Sequence, residues 1–183
     1  MKSILIVLAL ASVLAAADKP AADKPRVTRE ALAGVEKSTD GAIRSWDVTD
    51  PVDLLGFTRA VYLPGYGVVF TTEVNLVVTM MTPMSPPLTG QKLVQLKEKK
   101  RQRLTFVRNW MRQALIDAGG SLDQVPPGER IVYAMTLFYQ YFEDHSGMPN
   151  QIVIEAPRQA LADFKAGRID REKLDAAITA WEI

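Results

Sequence analysis

Between Val27 and Trp46 the side chains Leu32, Val35, Ala42, Ile43 and Trp46 recur close to every 3.6 residues, the spacing of one helix face. Thr28 stands where an N-cap belongs, and Ala31 fits the first turn. Gly41 weakens the middle, so the pattern fits one helix or two short ones. Asp50 before Pro51, with Asp53 three residues on, predicts the start of another helix: cap, proline at the first position, acid in the first turn. The period then changes. Phe57 to Leu63 and Val68 to Thr79 are rich in Val, Tyr, Phe and Thr and flank Pro64-Gly65-Tyr66-Gly67, a hairpin signal with Pro64-Gly65 at the centre of a type II turn. A register with Tyr62 opposite Phe70 sets Arg59 opposite Glu73 as a cross-strand ion pair.

Three prolines between Thr82 and Pro87 predict irregular chain. A long helix follows from about Gly90 to Ala118, with Gly119-Gly120 as its stop. Leu104, Val107, Met111 and Leu115 make a clean apolar stripe on its second half, whereas Lys97 and Lys100 interrupt the stripe of Leu93 and Leu96 on its first. After the turn Val125-Pro126-Pro127-Gly128, Glu129 to Phe142 is apolar on both faces: Ile131, Tyr133, Met135 and Leu137 on one, Val132, Ala134 and Phe138 on the other. That predicts a strand in the middle of a sheet. Glu143 to Asn150 is a polar loop and Gln151 to Glu155 a short strand. Pro157 opens a helix with Ala160, Leu161 and Phe164, ended by Gly167. Asp170 caps a last helix with Leu174, Ile178 and Trp181 on one side. The layout is α+β: one domain over residues 27–183, about four strands in two pairs separated by a long basic helix, and helices at both ends. The pattern does not specify strand order.

The first residues change the picture of where this domain works. Lys2, the apolar run Ile4 to Leu14 and Ala15-Ala16-Ala17 have the three-part layout of a secretory signal peptide cut after Ala17. The uncharged stretch from Ser3 to Ala17 is shorter than the roughly 20 residues that span a bilayer. Residues 18–26, with Asp-Lys-Pro twice, read as an extended solvated tether. The expectation is an exported bacterial protein, periplasmic or secreted, with no transmembrane segment in the mature chain. The chain has no cysteine. That excludes disulfides, a lipoprotein cysteine, thiol nucleophiles, thiolate zinc and iron–sulfur clusters.

Charge singles out the long helix. Lys92, Lys97, Lys99, Lys100, Arg101, Arg103, Arg108 and Arg112 face only one acid, Glu98, in the same stretch, a net +7. The whole chain is +1, so once Lys2 leaves with the leader the remainder sums to −7. Such a helix either projects a positive field or lies over the protein's own acids. The first alternative predicts that Lys92, Lys97, Lys99, Lys100, Arg101 and Arg103 bind an anionic envelope component, a lipid headgroup or an acidic protein partner. Export disfavours nucleic acid.

Other chemistry is thinner. Aromatics in the third strand, Tyr133, Phe138, Tyr139, Tyr141 and Phe142, suit a core more than a stacking platform. His145 is the single histidine, which denies a transition metal the pair of His or Cys ligands it normally needs. Asp47, Asp50 and Asp53 lack the glycine-bearing alternation of a calcium loop. Met80, Met81 and Met84 have no accompanying His or Cys that would make a copper site. Pro64-Gly65-Tyr66-Gly67 leads into a strand, unlike a phosphate loop. No cofactor fingerprint is present. The leading expectation is therefore a non-enzymatic binding protein. The alternative is a hydrolase-like enzyme gathering Glu73, Asn75, Glu143, Asp144 and His145 into one site. A third is an assembly role through a free sheet edge.

Overall fold

The computed structural model describes residues 27–47, 49–79 and 88–183. The expected leader, the tether, the proline-rich loop and its three methionines lie outside them. The protein is an α+β domain in which one mixed sheet of six strands carries a helical layer.

Helix α1 (Arg29–Arg44) is a single helix that runs through Gly41. Thr28 caps it, its hydroxyl accepting from Ala31 N at 3.3 Å. The apolar side chains Leu32, Val35 and Ile43 are buried as the spacing predicts. The helix expected at Asp50 does not form. Asp53–Leu54 is instead a short strand, β1, because Asp50 is taken by Lys99 and Arg103, and Leu55 N donates to Glu73 O at 2.9 Å. Tertiary partners outweigh a local capping signal here.

Strands β2 (Arg59–Leu63) and β3 (Gly67–Asn75) form the hairpin. Tyr66 N donates to Leu63 O at 3.0 Å and Gly65 has φ +82, as a type II turn requires. The register is two residues tighter than expected. Tyr62 faces Val68 and Arg59 faces Thr71, so the Arg59–Glu73 pair does not form. Gly67 explains the shift. A Cβ there would sit 1.9 Å from Arg130 O, so only glycine lets the strand begin immediately after Tyr66.

Helix α2 (Gly90–Ser121) runs through Gly119 and Gly120, which were expected to stop it. Gly119 lies against Leu161 on helix α3 (Arg158–Lys165), where a Cβ would come within 2.4 Å of Leu161 Cβ. These glycines admit a neighbouring helix, and the contact overrides their usual role as terminators. Strand β4 (Arg130–Leu137) is central as expected, parallel to β3 and antiparallel to β5 (Gln151–Pro157). It ends at Leu137, five residues short of the expected boundary, where Phe138 N turns to Val74 O. Helix α4 (Arg171–Ala177) is capped by Asp170 but stops four residues before Trp181. Trp181 belongs to a sixth strand, β6 (Thr179–Glu182), antiparallel to β5. The run Thr-Ala-Trp-Glu-Ile suits a pleated strand once β5 offers a partner.

The sheet order is β1-β3-β4-β5-β6, with β2 beside β1 along the outer side of β3. Alternation divides its faces. Val68, Phe70, Val74, Ile131, Tyr133, Met135, Leu137, Ile152, Ile154 and Ala156 point to the helices and form one cluster with Leu32, Val35, Ile43, Leu104, Val107, Met111, Leu115, Leu161 and Leu174. Each fully buried side chain of this size contributes roughly 1.5–3 kcal/mol. The opposite face carries Val61, Leu63, Val69, Val132, Val153 and Trp181, and none of these joins that cluster. No described helix covers it.

Candidate functional site

The basic stretch of α2 meets the acidic remainder of the chain. Lys97 Nζ lies 2.6 Å from Asp144 Oδ2 and donates to Ser146 Oγ at 2.8 Å. Lys99 and Arg103 share Asp50, and Arg103 also donates to the carbonyls of Asp50 and Leu76. Arg108 makes a fork to Glu182 at 2.6 and 3.0 Å, Arg112 reaches Asp175 at 3.3 Å, and Arg101 lies 3.8 Å from Glu98. Lys92 alone of the eight has no carboxylate beside it among the described residues.

Lys100 is the extreme case. It is fully buried, its ammonium 2.6 Å from Glu143 Oε2, donating to Phe138 O at 3.1 Å and lying 4.9 Å from the centre of the Tyr139 ring. Burial lowers its pKa, against the opposing pull of Glu143. Glu143 is equally enclosed and accepts from Gln140 N at 3.1 Å. The loop between β4 and β5 is therefore nailed to α2 by one buried and one exposed ion pair. Tyr139 completes the junction: its hydroxyl donates to Pro149 O at 2.8 Å, and burial, then the Glu143 and Glu182 carboxylates, push its pKa up to about 12. The exposed Asp144 carboxyl is held well below the usual range by hydrogen bonds from Lys97 and Ser146. The interruption of the apolar stripe by Lys97 and Lys100 marks this junction. Lys100 lies inside it, out of reach of any ligand, and Arg103 nearly so.

The residues of the expected hydrolase site divide. Glu143, Asp144 and His145 share the loop, where His145 stacks on Tyr139 with centroids 4.8 Å apart. Glu73 stands exposed on the uncovered face of β3, opposite Thr136, and Asn75 is buried with Oδ1 turned to Val77 N at 3.4 Å. Among the described residues no hydrogen bond or ion pair joins Glu73 or Asn75 to the loop. Asp47 forms a local turn with Thr49 N and Asp50 N, Asp50 serves α2, and Asp53 is exposed in β1. Among the third-strand aromatics, Tyr133 is core, stacked on Phe70 at 4.8 Å, while Tyr141 is 95% exposed.

No family model, curated protein or solved structure matches this chain.

The uncovered sheet face is the feature the sequence reading did not find. Val61 and Leu63 are 55% and 45% exposed at its β2 side and Trp181 41% at its β6 side. Val132 and Val153 lie between them and are themselves buried. The Arg130–Glu155 ion pair crosses the middle, and Tyr66 from the hairpin tip donates to Glu155 Oε2 at 3.2 Å. The result is a mixed surface, apolar at Val61, Leu63 and Trp181, crossed by this ion pair and polar at Arg59, Thr71, Glu73 and Thr136. Its signal was the second apolar face of β4, which burial by a second layer would also have produced. Among the described residues no helix is long and apolar enough to cross a membrane.

Proposed function

We propose that this chain is an exported, non-enzymatic interaction protein that meets a protein partner through the uncovered face of its sheet. The observation that supports the reading is the gathering of Val61, Leu63, Tyr66 and Trp181, all substantially exposed, on the one sheet face that no described helix covers. Exposed apolar patches with polar groups at or across them mark contact surfaces. The leader layout of residues 1–17 supports export. An anion-binding role for α2 is left with Lys92, Lys99 and Arg101, two of which already have acidic neighbours. That makes it the weaker reading.

The experiment is capture from envelope extract with three forms of the mature chain: wild type, Val61→Glu/Leu63→Glu and Lys92→Glu/Arg101→Glu. A partner kept by wild type and the helix variant, and lost by the sheet variant, supports the proposal. Loss with the helix variant alone, or binding of anionic vesicles by wild type but not that variant, transfers the contact to α2. Equal capture by all three removes both. The export clause has its own test: the mass of the protein recovered outside the cytoplasm should correspond to a start at Asp18.

A further inference from the structure

The two edges of the sheet are finished differently. At the start of β2 two outward backbone donors are taken by α1: Asp40 Oδ1 accepts from Thr58 N, just before the strand, at 2.8 Å, and Glu36 Oε1 from Ala60 N at 2.7 Å. Those contacts obstruct the start of that edge. At the other edge, every residue of β6 is exposed. Gln151 and Ile183 exchange both backbone bonds at 3.0 Å, so by alternation Trp181 and Thr179 also bond inward to β5, while the N–H and C=O of Ala180 and Glu182 point away from the sheet. No described residue takes them. The strand has no Lys, Pro or bulge of the kind that protects an edge.

We propose that β6 pairs antiparallel with β6 of a second copy about a two-fold axis through Trp181. The register follows from which groups are free. Only Ala180 and Glu182 offer outward bonds, so each must face the other's counterpart, giving two pairs that each exchange both bonds. Trp181 then meets Trp181 of the second copy as the non-hydrogen-bonded pair between them, where cross-strand side chains come closest. Both indoles lie on the uncovered face. Thr179 and Ile183 pair on either side of them. On the helix side Glu182 faces alanine, which leaves room for its fork to Arg108 and places no like charges directly opposite. A second copy is the occupant favoured over an unrelated strand because this short sequence is complementary to itself. The pairing joins two six-stranded sheets and makes their uncovered faces continuous. It uses the backbone of the edge strand and shares only Trp181 with the face proposed above, leaving Val61, Leu63 and Tyr66 free for that partner.

A pairing this short buries less than the roughly 1,200–2,000 Å² of a standard stable interface, so the dimer should dissociate on dilution through the micromolar range. Sedimentation of the mature chain across that range tests it, beside Ala180→Pro. Proline there removes an outward donor that β5 does not use, so the fold should persist while the dimer is lost. The cysteine-free chain also allows the register to be read by oxidation. Trp181→Cys should give a disulfide-linked dimer, since facing positions on the axis are within disulfide reach, whereas Thr179→Cys should not. A wild type that stays monomeric to about 1 mM, a dimer untouched by Ala180→Pro, or equal cross-linking at 179 and 181 would overturn the inference. Loss of the dimer with partner capture intact would leave the sheet-face proposal standing.

Discussion

Glu36 and Asp40 occupy the positions between Val35 and Ile43 on the apolar face of α1, and both are buried. Each ends at a backbone N–H at or just before the start of the edge strand, and Arg29 grips Glu36 from the other side. Burial alone would raise the Glu36 carboxyl. The hydrogen bonds from Arg29 and Ala60 N–H outweigh it and hold the group below its ordinary value. A carboxyl lowered in the folded state stabilises fully above its unfolded pKa of about 4.3, and that contribution is lost as pH falls through the folded value. Glu36→Ala should therefore cost about 1–3 kcal/mol at pH 7, the range for stranding buried donors, and progressively less toward pH 3. Urea titrations at both pH values check it, and an equal cost at both would show that packing and not charge is involved. The spacing of Leu32, Val35 and Ile43 gave no sign that these two carboxylates would be buried beside them. Nor was their partner legible, because it lies on a different element. Lys100 was legible as a break, with Lys97, in the apolar stripe of Leu93 and Leu96. Lys100→Met should cost about 3–5 kcal/mol by leaving Glu143 buried and unpaired, and adding Glu143→Leu should restore much of it.

At the scale of elements, the sequence pattern located α1 to α4 and the hairpin, placed at Asp50 a helix that does not form, and misjudged where several elements stop. Glycine is the recurring reason. Gly67 admits the Arg130 backbone and Gly119 admits Leu161, neither of which is adjacent in sequence. Gly34 on α1 has open space where a Cβ would go. Gly34→Ala should accordingly stabilise by about 0.5–1 kcal/mol, the helix-propensity gain, whereas Gly119→Ala should destabilise by about 1–3 kcal/mol through overpacking. Thermal melts of the two variants should move in opposite directions. The sixth strand was hidden for a related reason: Leu174, Ile178 and Trp181 fit a helical spacing, and only the presence of β5 makes the last residues extended.

Across the whole molecule, the lopsided charge of α2 is largely answered by acids from Asp50, the Glu143-Asp144 pair, Asp175 and Glu182. Net charge along a sequence does not reveal which acids will fold back onto a basic helix. This compensation moves attention from the helix to the bare sheet face, and surface charge changes at Lys92 and Arg101 should leave stability within about 0.5 kcal/mol. The most direct test of that shift is hydroxyl-radical footprinting of residues 18–183 in envelope extract and in buffer. The extract should protect Leu63 and Tyr66 on the sheet side and leave Phe106 on α2 unchanged. Protection of Phe106 with Leu63 and Tyr66 still reactive would contradict the account.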